Sequence, residues 1–176
     1  MSLKYFYNFL LIFVLIFFSA CSSGNQEKSI KAKKIIPLEQ LYKEAYVAFE
    51  NGNYDESQKL FKIVERDYSY TAWAPRALLM RAYLYYETGN YVLALTHLQR
   101  FKQRHSGSKN LQYVEYLIAI CMFEQINFVA QSQENTELAL KQFRKILLNY
   151  PNSPYATDAR FKIDLIHEQM AAKEMY

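Results

Sequence analysis

An all-α solenoid of about three and a half helix-turn-helix repeats is predicted by three observations. The stretch Phe49 to Phe61, FENGNYDESQKLF, returns 37 residues later as Tyr86 to Leu98, YETGNYVLALTHL. Glycine and proline number only four each in 176 residues, and a chain so poor in breakers and rich in Leu, Ala, Lys, Glu and Tyr favours helices. Apolar residues recur at helical spacing in one segment after another. With 51% hydrophobic residues the chain can bury a core, and its length fits one domain.

The neighbours of the Gly-Asn-Tyr triplet show that the echo is a repeat. Ala45 maps onto Ala82, Phe49 onto Tyr86, Ser57 onto Ala94, Phe61 onto Leu98 and Tyr68 onto His105. Small residues fall on small ones and apolar on apolar, with one exchange of Tyr for His. Gly52 and Gly89 end a helix cheaply because glycine adopts positive φ. Asn53 and Asn90 tolerate turn geometry and are placed to cap the helix that follows. The small residue three positions after Tyr54 or Tyr91 lets the paired helices approach, and the Phe61 or Leu98 side chain fills the groove between them. The pattern resembles the tetratricopeptide repeat, which builds a right-handed solenoid with a period of about 34 residues. The Trp usual in that repeat's first helix is absent, with Leu41 and Leu78 in its place.

Seven helices follow in order. The first, about Leu38 to Glu50, has Leu41, Ala45, Ala48 and Phe49 as its apolar stripe. The second, about Tyr54 to Asp67, buries Ser57, Leu60, Phe61 and Val64. The third, about Ala72 to Thr88, carries Trp73, Ala77, Leu78, Met80, Ala82, Tyr85 and Tyr86 and tolerates Pro75 in its first turn. The fourth, about Tyr91 to Arg104, carries Ala94, Leu95, Leu98 and Phe101. The fifth, about Leu111 to Ile126, aligns by Ala119 and Phe123 with Ala82 and Tyr86. The sixth carries Ala139, Phe143 and Ile146, which answer Ala94, Leu98 and Phe101 at a spacing of 45 instead of 37. The extra eight residues are placed in a polar loop from Asn127 to Thr136, read either as a functional interruption or as a tolerated insertion. The seventh helix, Thr157 to Glu174, has Phe161, Ile163, Leu165, Ile166 and Met170 as its apolar set. It matches the first helix of a fourth unit, and either caps the stack or precedes a continuation.

Residues 1–20 read as a lipoprotein signal peptide. Lys4 gives a positive start, Phe9 to Phe18 is an uncharged apolar run, and Ser19-Ala20-Cys21 follows. The run is too short for a comfortable membrane span, which needs roughly 20 residues. Ser-Ala-Cys resembles the lipobox of bacterial lipoproteins, with Phe18 where Leu is usual. That resemblance implies a diacylglyceryl group on the Cys21 sulfur and a further acyl chain such as palmitate, which together anchor durably. Ser22 after the cysteine is similar to an outer-membrane address. An ordinary signal with an incidental cysteine, or an uncleaved anchor, are the other readings of the residues. Residues 21–37 are polar and lysine-rich, with Lys28, Lys31, Lys33 and Lys34, and read as a flexible tether, solvated or resting on anionic headgroups. Residues 38–176 form the repeat domain.

Little in the sequence points to reaction chemistry. With Cys21 lipidated, Cys121 stands alone, so no internal disulfide is expected; its apolar neighbours make it a buried small hydrophobe. His97, His105 and His167 fall in separate units without metal-ligand spacing, with His97 expected to face outward. No Gly-rich phosphate loop occurs. No catalytic, metal or cofactor role is expected. The net charge of +4 is mild and does not by itself call for nucleic acid. Sixteen tyrosines are unusual. Most suit packing between helices with the hydroxyl at the edge, and Tyr46, Tyr83, Tyr85, Tyr113 and Tyr116 are candidates for a partner groove.

Several runs resemble the BamD (ComL-like) family of outer-membrane assembly lipoproteins. Leu41-Tyr42-Lys43-Glu44-Ala45 before Gly52-Asn53-Tyr54 looks like its opening repeat, and Leu98-Gln99-Arg100-Phe101 like its second. The run Tyr150-Pro151-Asn152-Ser153-Pro154-Tyr155-Ala156-Thr157-Asp158-Ala159-Arg160 is the most specific. The resemblance covers Leu38 to Tyr176 plus the lipobox. It implies a lipid-anchored scaffold on the periplasmic face of the outer membrane, part of the machinery that inserts β-barrel proteins. Its implied partners are the barrel-assembly protein BamA, other subunits of that machine and unfolded outer-membrane protein segments. The family commonly has five repeats, of which the last ones dock BamA and the first recognise substrate segments, so here the docking half is mostly missing. A lipoprotein adaptor of the same fold that recruits cell-wall hydrolases or Tol-Pal-type envelope proteins is the alternative.

Overall fold

A computed structural model describes residues 36–128 and 133–174. Among these residues the chain forms seven helices and no strand: α1 (Leu38–Glu50), α2 (Tyr54–Asp67), α3 (Trp73–Glu87), α4 (Tyr91–Arg104), α5 (Leu111–Phe128), α6 (Gln133–Asn149) and α7 (Ala156–Glu174). Each helix packs on the next, with a smaller contact between α1 and α3, the arrangement of a tetratricopeptide-like solenoid. The predicted signal peptide, Cys21 and the tether as far as Ile35 lie outside the described residues. Ile36 already packs on the first core, two residues before the expected start of the domain.

The two Gly-Asn-Tyr turns are built alike. Gly52 and Gly89 have φ of +72° and +71°. Gly52 N–H donates to the Phe49 carbonyl at 2.9 Å and Asn53 N–H to Ala48 at 2.9 Å; Gly89 and Asn90 repeat this with Tyr86 at 2.9 Å and Tyr85 at 2.8 Å. This paired bonding is a Schellman motif. A Cβ on either glycine would meet nothing within 4 Å, so the demand is for left-handed backbone and not for space. The asparagines do less with their side chains than expected. Asn90 accepts from Leu93 N–H at a long 3.4 Å, and Asn53 makes no side-chain cap bond. Their carbonyls start the next helix instead, accepting from Ser57 and Ala94 N–H at 3.0 Å.

Where two helices of a unit cross, small residues face each other. The pairs are Ala45 with Ser57, Ala82 with Ala94 and Ala119 with Ala139, and all six are fully buried. Ser57 loses no hydrogen bond by burial, because its Oγ donates to the Ala45 carbonyl at 2.8 Å. Behind each pair sit Phe61, Leu98 and Phe143, then Val64, Phe101 and Ile146, all fully buried. The first helix of a unit serves two cores. Through Ala77 and Leu84, α3 feeds the first core, and through Leu78 and Ala82 the second. From α5, Val114, Ile118 and Cys121 go to the second core and Ala119, Phe123 and Ile126 to the third. A helix that is apolar all round needs such two-sided cover.

Buried carboxylates tie successive units. Glu65 on α2 receives Arg81 of α3 at 2.5 Å and Arg100 of α4, while Gln58 Nε2 donates to the Arg81 carbonyl at 3.1 Å. Glu115 on α5, only 5% exposed, receives Lys102 of α4 at 2.8 Å and Lys145 of α6 at 2.9 Å. Burial pushes the Glu115 carboxyl up, but hydrogen bonds from Lys102, Lys145 and Gln142 outweigh it and hold it below its ordinary value.

Two expectations are corrected. Both ends of the polar loop expected from Asn127 to Thr136 are helix: α5 runs on to Phe128, α6 opens at Gln133, and Thr136 is buried, while residues 129–132 lie outside the described residues. The added residues lengthen the two helices of the third unit, and of the polar residues at the start of α6 Glu134 and Glu137 are exposed while Thr136 is buried. Phe161 is not a core residue but 62% exposed. The inward stripe of α7 is Ala159, Ile163, Ile166 and Met170, and a residue two positions after Ala159 points about 200° away.

Phe61→Ala and Phe143→Ala should each lower stability by about 3–5 kcal/mol, and Phe161→Ala by less than about 0.5 kcal/mol. Urea unfolding of the three variants checks the assignment, and similar losses at all three positions would contradict it.

Candidate functional site

The first helices of the units share one face of the stack, and there α1, α3 and the start of α5 enclose a groove of about 440 Å³. From α1 come Tyr42, Tyr46 and Phe49; from α3 come Arg76, Leu79, Met80 and Tyr83; Asn110 and Tyr113 close the far side. Within each helix these residues recur at steps of three and four, so one helix face supplies them all. Between helices they follow the 37-residue repeat: Tyr46 corresponds to Tyr83, Tyr42 to Leu79 and Tyr116, and Arg76 to Tyr113.

The rings form a connected wall. Phe49 lies 6.0 Å from Tyr46 and 5.7 Å from Tyr83. The phenol of Tyr83 is pushed up to about 12 by its hydrogen bond to Glu87 and by burial, so it stays a neutral donor. Burial likewise raises Tyr113. The ring of Tyr113 lies 5.7 Å from Tyr155, which stacks on Tyr116 at 4.7 Å and 21°. The Tyr116 hydroxyl donates to Asp158 Oδ2 at 2.8 Å. The far wall is thereby held by α7. Arg76 is the cation of the groove and sits 5.1 Å over the Trp73 ring, and no carboxylate lines the groove among the described residues. An apolar, tyrosine-edged channel with one positive group suits an extended or helical peptide, whose side chains it buries and whose backbone the hydroxyls meet. A wider hollow of about 610 Å³ lies between α1 and α2, but it carries Lys43, Glu44 and Glu56 and no aromatic residue. Without aromatic anchors it offers less to hold a partner.

Of the five candidate tyrosines, Tyr46, Tyr83 and Tyr113 line this groove and Tyr116 supports its far wall. Tyr85 does not join them. It stacks on His97 of α4 at 5.0 Å and 24° and packs on the second core, because it stands two residues from Tyr83 on α3 and faces away. The repeat carried that signal: one period before Tyr85 stands Ala48, and one period after stands Met122. Tyr42, Phe49, Leu79 and Arg76 also line the groove; Tyr42 and Leu79 were legible as equivalents of Tyr116 and Arg76 as the equivalent of Tyr113, while Phe49 is one turn from Tyr46 on the same helix face.

The histidines and the cysteine are held apart. His97 is half-buried rather than outward-facing, and its imidazole is lowered to about 4 by burial and by Arg81 and Arg100. His105 packs on Phe101 at 5.0 Å, and His167 lies beside Arg144. Cys121 is fully buried, and burial pushes its thiol up to about 12, which keeps it protonated. No helix among the described residues is long and apolar enough to cross a membrane.

Comparison with known proteins places this architecture. Residues 36–176 match the family described as YfiO, outer membrane lipoprotein. The chain is 39% identical over 153 residues to an outer membrane protein assembly factor BamD of Caulobacter vibrioides, covering 87% of this chain and 50% of the relative. It is 28% identical to BamD of Rickettsia prowazekii, covering 94% and 64%, and 28% identical to BamD of Neisseria gonorrhoeae, covering 89% and 63%. The chain thus spans about half to two thirds of the length of these relatives. A solved structure of the Yersinia enterocolitica type III secretion translocator chaperone SycD shares the fold, with a TM-score of 0.54 and 20% identity over 76% of this chain and 93% of that one. The chain belongs to the YfiO family of outer membrane lipoproteins, whose relatives found here are outer membrane protein assembly factors of the BamD type.

Proposed function

We propose that the protein is a lipid-anchored scaffold of the outer-membrane β-barrel assembly machinery, working by binding and without chemistry. The observation that carries this reading is the aromatic groove, lined by residues of α1, α3 and the start of α5, in a chain of the YfiO outer membrane lipoprotein family. In this reading the groove holds a segment of an unfolded outer-membrane protein. BamA and other subunits engage the scaffold, and Cys21 carries the lipid that holds it at the periplasmic face of the outer membrane.

Affinity capture from detergent-solubilised envelopes should recover BamA with this protein. Recovery of cell-wall hydrolases or Tol-Pal-type proteins without BamA would favour the adaptor reading. For the groove, Tyr83→Ala and Tyr46→Ala should each weaken binding of an unfolded barrel segment by roughly five- to thirtyfold, the range for aromatic anchors. Tyr85→Ala should lower stability and leave that affinity unchanged, and equal losses of affinity at positions 83 and 85 would refute the groove. Cys21→Ser should remove the acyl mass and release the domain from membranes. Unchanged mass and retention would refute the anchor.

A further inference from the structure

The charges are sorted along the helix axes. Consecutive helices are antiparallel, so the turns within units gather at one edge of the stack and the loops between units at the other. Around the within-unit turns, residues 46–58, 82–99 and 116–140 contain no Lys or Arg. Their acids are Glu50, Asp55 and Glu56 at the first turn, Glu87 at the second, and Glu124, Glu134 and Glu137 at the third. The complementary stretches, residues 59–81, 100–115 and 141–162, hold fourteen Lys and Arg against four Asp and Glu. Those four acids are largely engaged already: Glu65 and Glu115 in the ties between units, Asp67 with Arg66, and Asp158 with Tyr116. Arg76, Arg104, Lys109 and Arg160 remain exposed at the loop edge and form no ion pair among the described residues. Helices of 13–19 residues separate the two edges by about 20 Å or more, beyond the physiological Debye length of about 8 Å, so each edge acts as a separate electrostatic surface.

We infer that the loop edge is a docking surface for the phosphate headgroups of an anionic lipid leaflet. Its cations are spread over all three units instead of converging in one pocket, which fits a plane of charge better than a single acidic peptide. Tyr70 projects fully exposed from the same edge and Trp73 opens α3 there, side chains suited to a headgroup region. The chain also enters the domain on this edge, at Ile36 and Pro37, and Ile36 packs against the same first core as Tyr68 and Trp73. The residues immediately before carry Lys28, Lys31, Lys33 and Lys34, and basic residues close to an anionic surface add to its attraction. The acidic edge then points away from the lipid. The aromatic groove, with Arg76 at its loop end, lies with its long walls rising from the leaflet. The inference uses the lipid-anchor reading only to bring the domain near a membrane.

Trp73 is the single tryptophan of the chain and serves as the probe. The lipidated full chain is reconstituted in phosphatidylcholine vesicles, with or without phosphatidylglycerol, that contain a headgroup nitroxide quencher. Quenching of Trp73 should be stronger with phosphatidylglycerol and should fall to the phosphatidylcholine level at high salt. The triple variant Arg104→Glu, Lys109→Glu, Arg160→Glu should lose the phosphatidylglycerol-dependent part. A control of equal charge change at mid-helix, Lys59→Glu, Lys62→Glu, Lys141→Glu, should keep most of it. Quenching that is equal in both vesicles, or equally reduced by both variants, would overturn the inference. So would persistent iodide access to Trp73 together with cross-linking of an acidic protein at position 109, which would assign the edge to a protein partner. Retention of the protein on washed vesicles reports the anchor separately from the edge.

Discussion

Close approach of two helices at a pair of small residues is the constraint on which the rest of the structure depends. At Ala45 and Ser57, Ala82 and Ala94, and Ala119 and Ala139 nothing larger than a hydroxymethyl group separates the helices, and no side-chain surface is left open. A bulkier residue at any of the six would force the helices apart and open space around Phe61, Leu98 or Phe143. Ser57 shows how tight the tolerance is: a hydroxyl fits only because the Ala45 carbonyl accepts from it. The third pair is 20 residues apart in sequence instead of 12, yet its geometry is retained. The added residues lengthen α5 and α6 without altering their crossing.

From this crossing the stack follows. Because the second helix of each unit leaves part of its neighbour's apolar surface uncovered, α3 and α5 complete one core and start the next. The units therefore fold against each other and not singly. Glu65 and Glu115 add direction to that packing. Each is a largely buried carboxylate with two cations from other helices. Such groups contribute modestly to stability but disfavour alternative registers, because a shifted neighbour would leave a buried charge unpaired. Glu115 has a folded-state pKa below its unfolded one, so its contribution is present above the unfolded value and is lost as pH falls through the folded value.

The groove is a product of the same regularity. Residues one period apart fall on one face, so Tyr46 and Tyr83, or Arg76 and Tyr113, become neighbours across helices without any local signal announcing them. Its far wall depends on α7, through Asp158, Tyr116 and Tyr155. The tyrosine content that stands out in the composition is thus divided between a packing role, as in Tyr85 on His97, and a lining role at the groove. The charge sorting between the two edges is overlaid on this frame without disturbing it, since the exposed ends of helices tolerate either sign.

By itself the sequence determined the repeat, the two glycine turns, the order of seven helices and the buried Phe61, Leu98 and Phe143. Each of these rests on local rules: positive φ, helical spacing and small-to-small equivalence. The likeness of the Tyr150 to Arg160 run also pointed to the right family. Only the tertiary structure decided which tyrosines share a face, because a two-residue step on a helix reverses direction, and Tyr83 and Tyr85 look alike in a list of tyrosines. It also decided that Phe161 is exposed, since that depends on which side of a helix a neighbour covers, and that both ends of the supposed third loop belong to helices. The pairing of Glu65 with Arg81 and Arg100, and of Glu115 with Lys102 and Lys145, joins residues from three helices. Such pairs carry no spacing signal, and only the angle between successive helices brings them within reach.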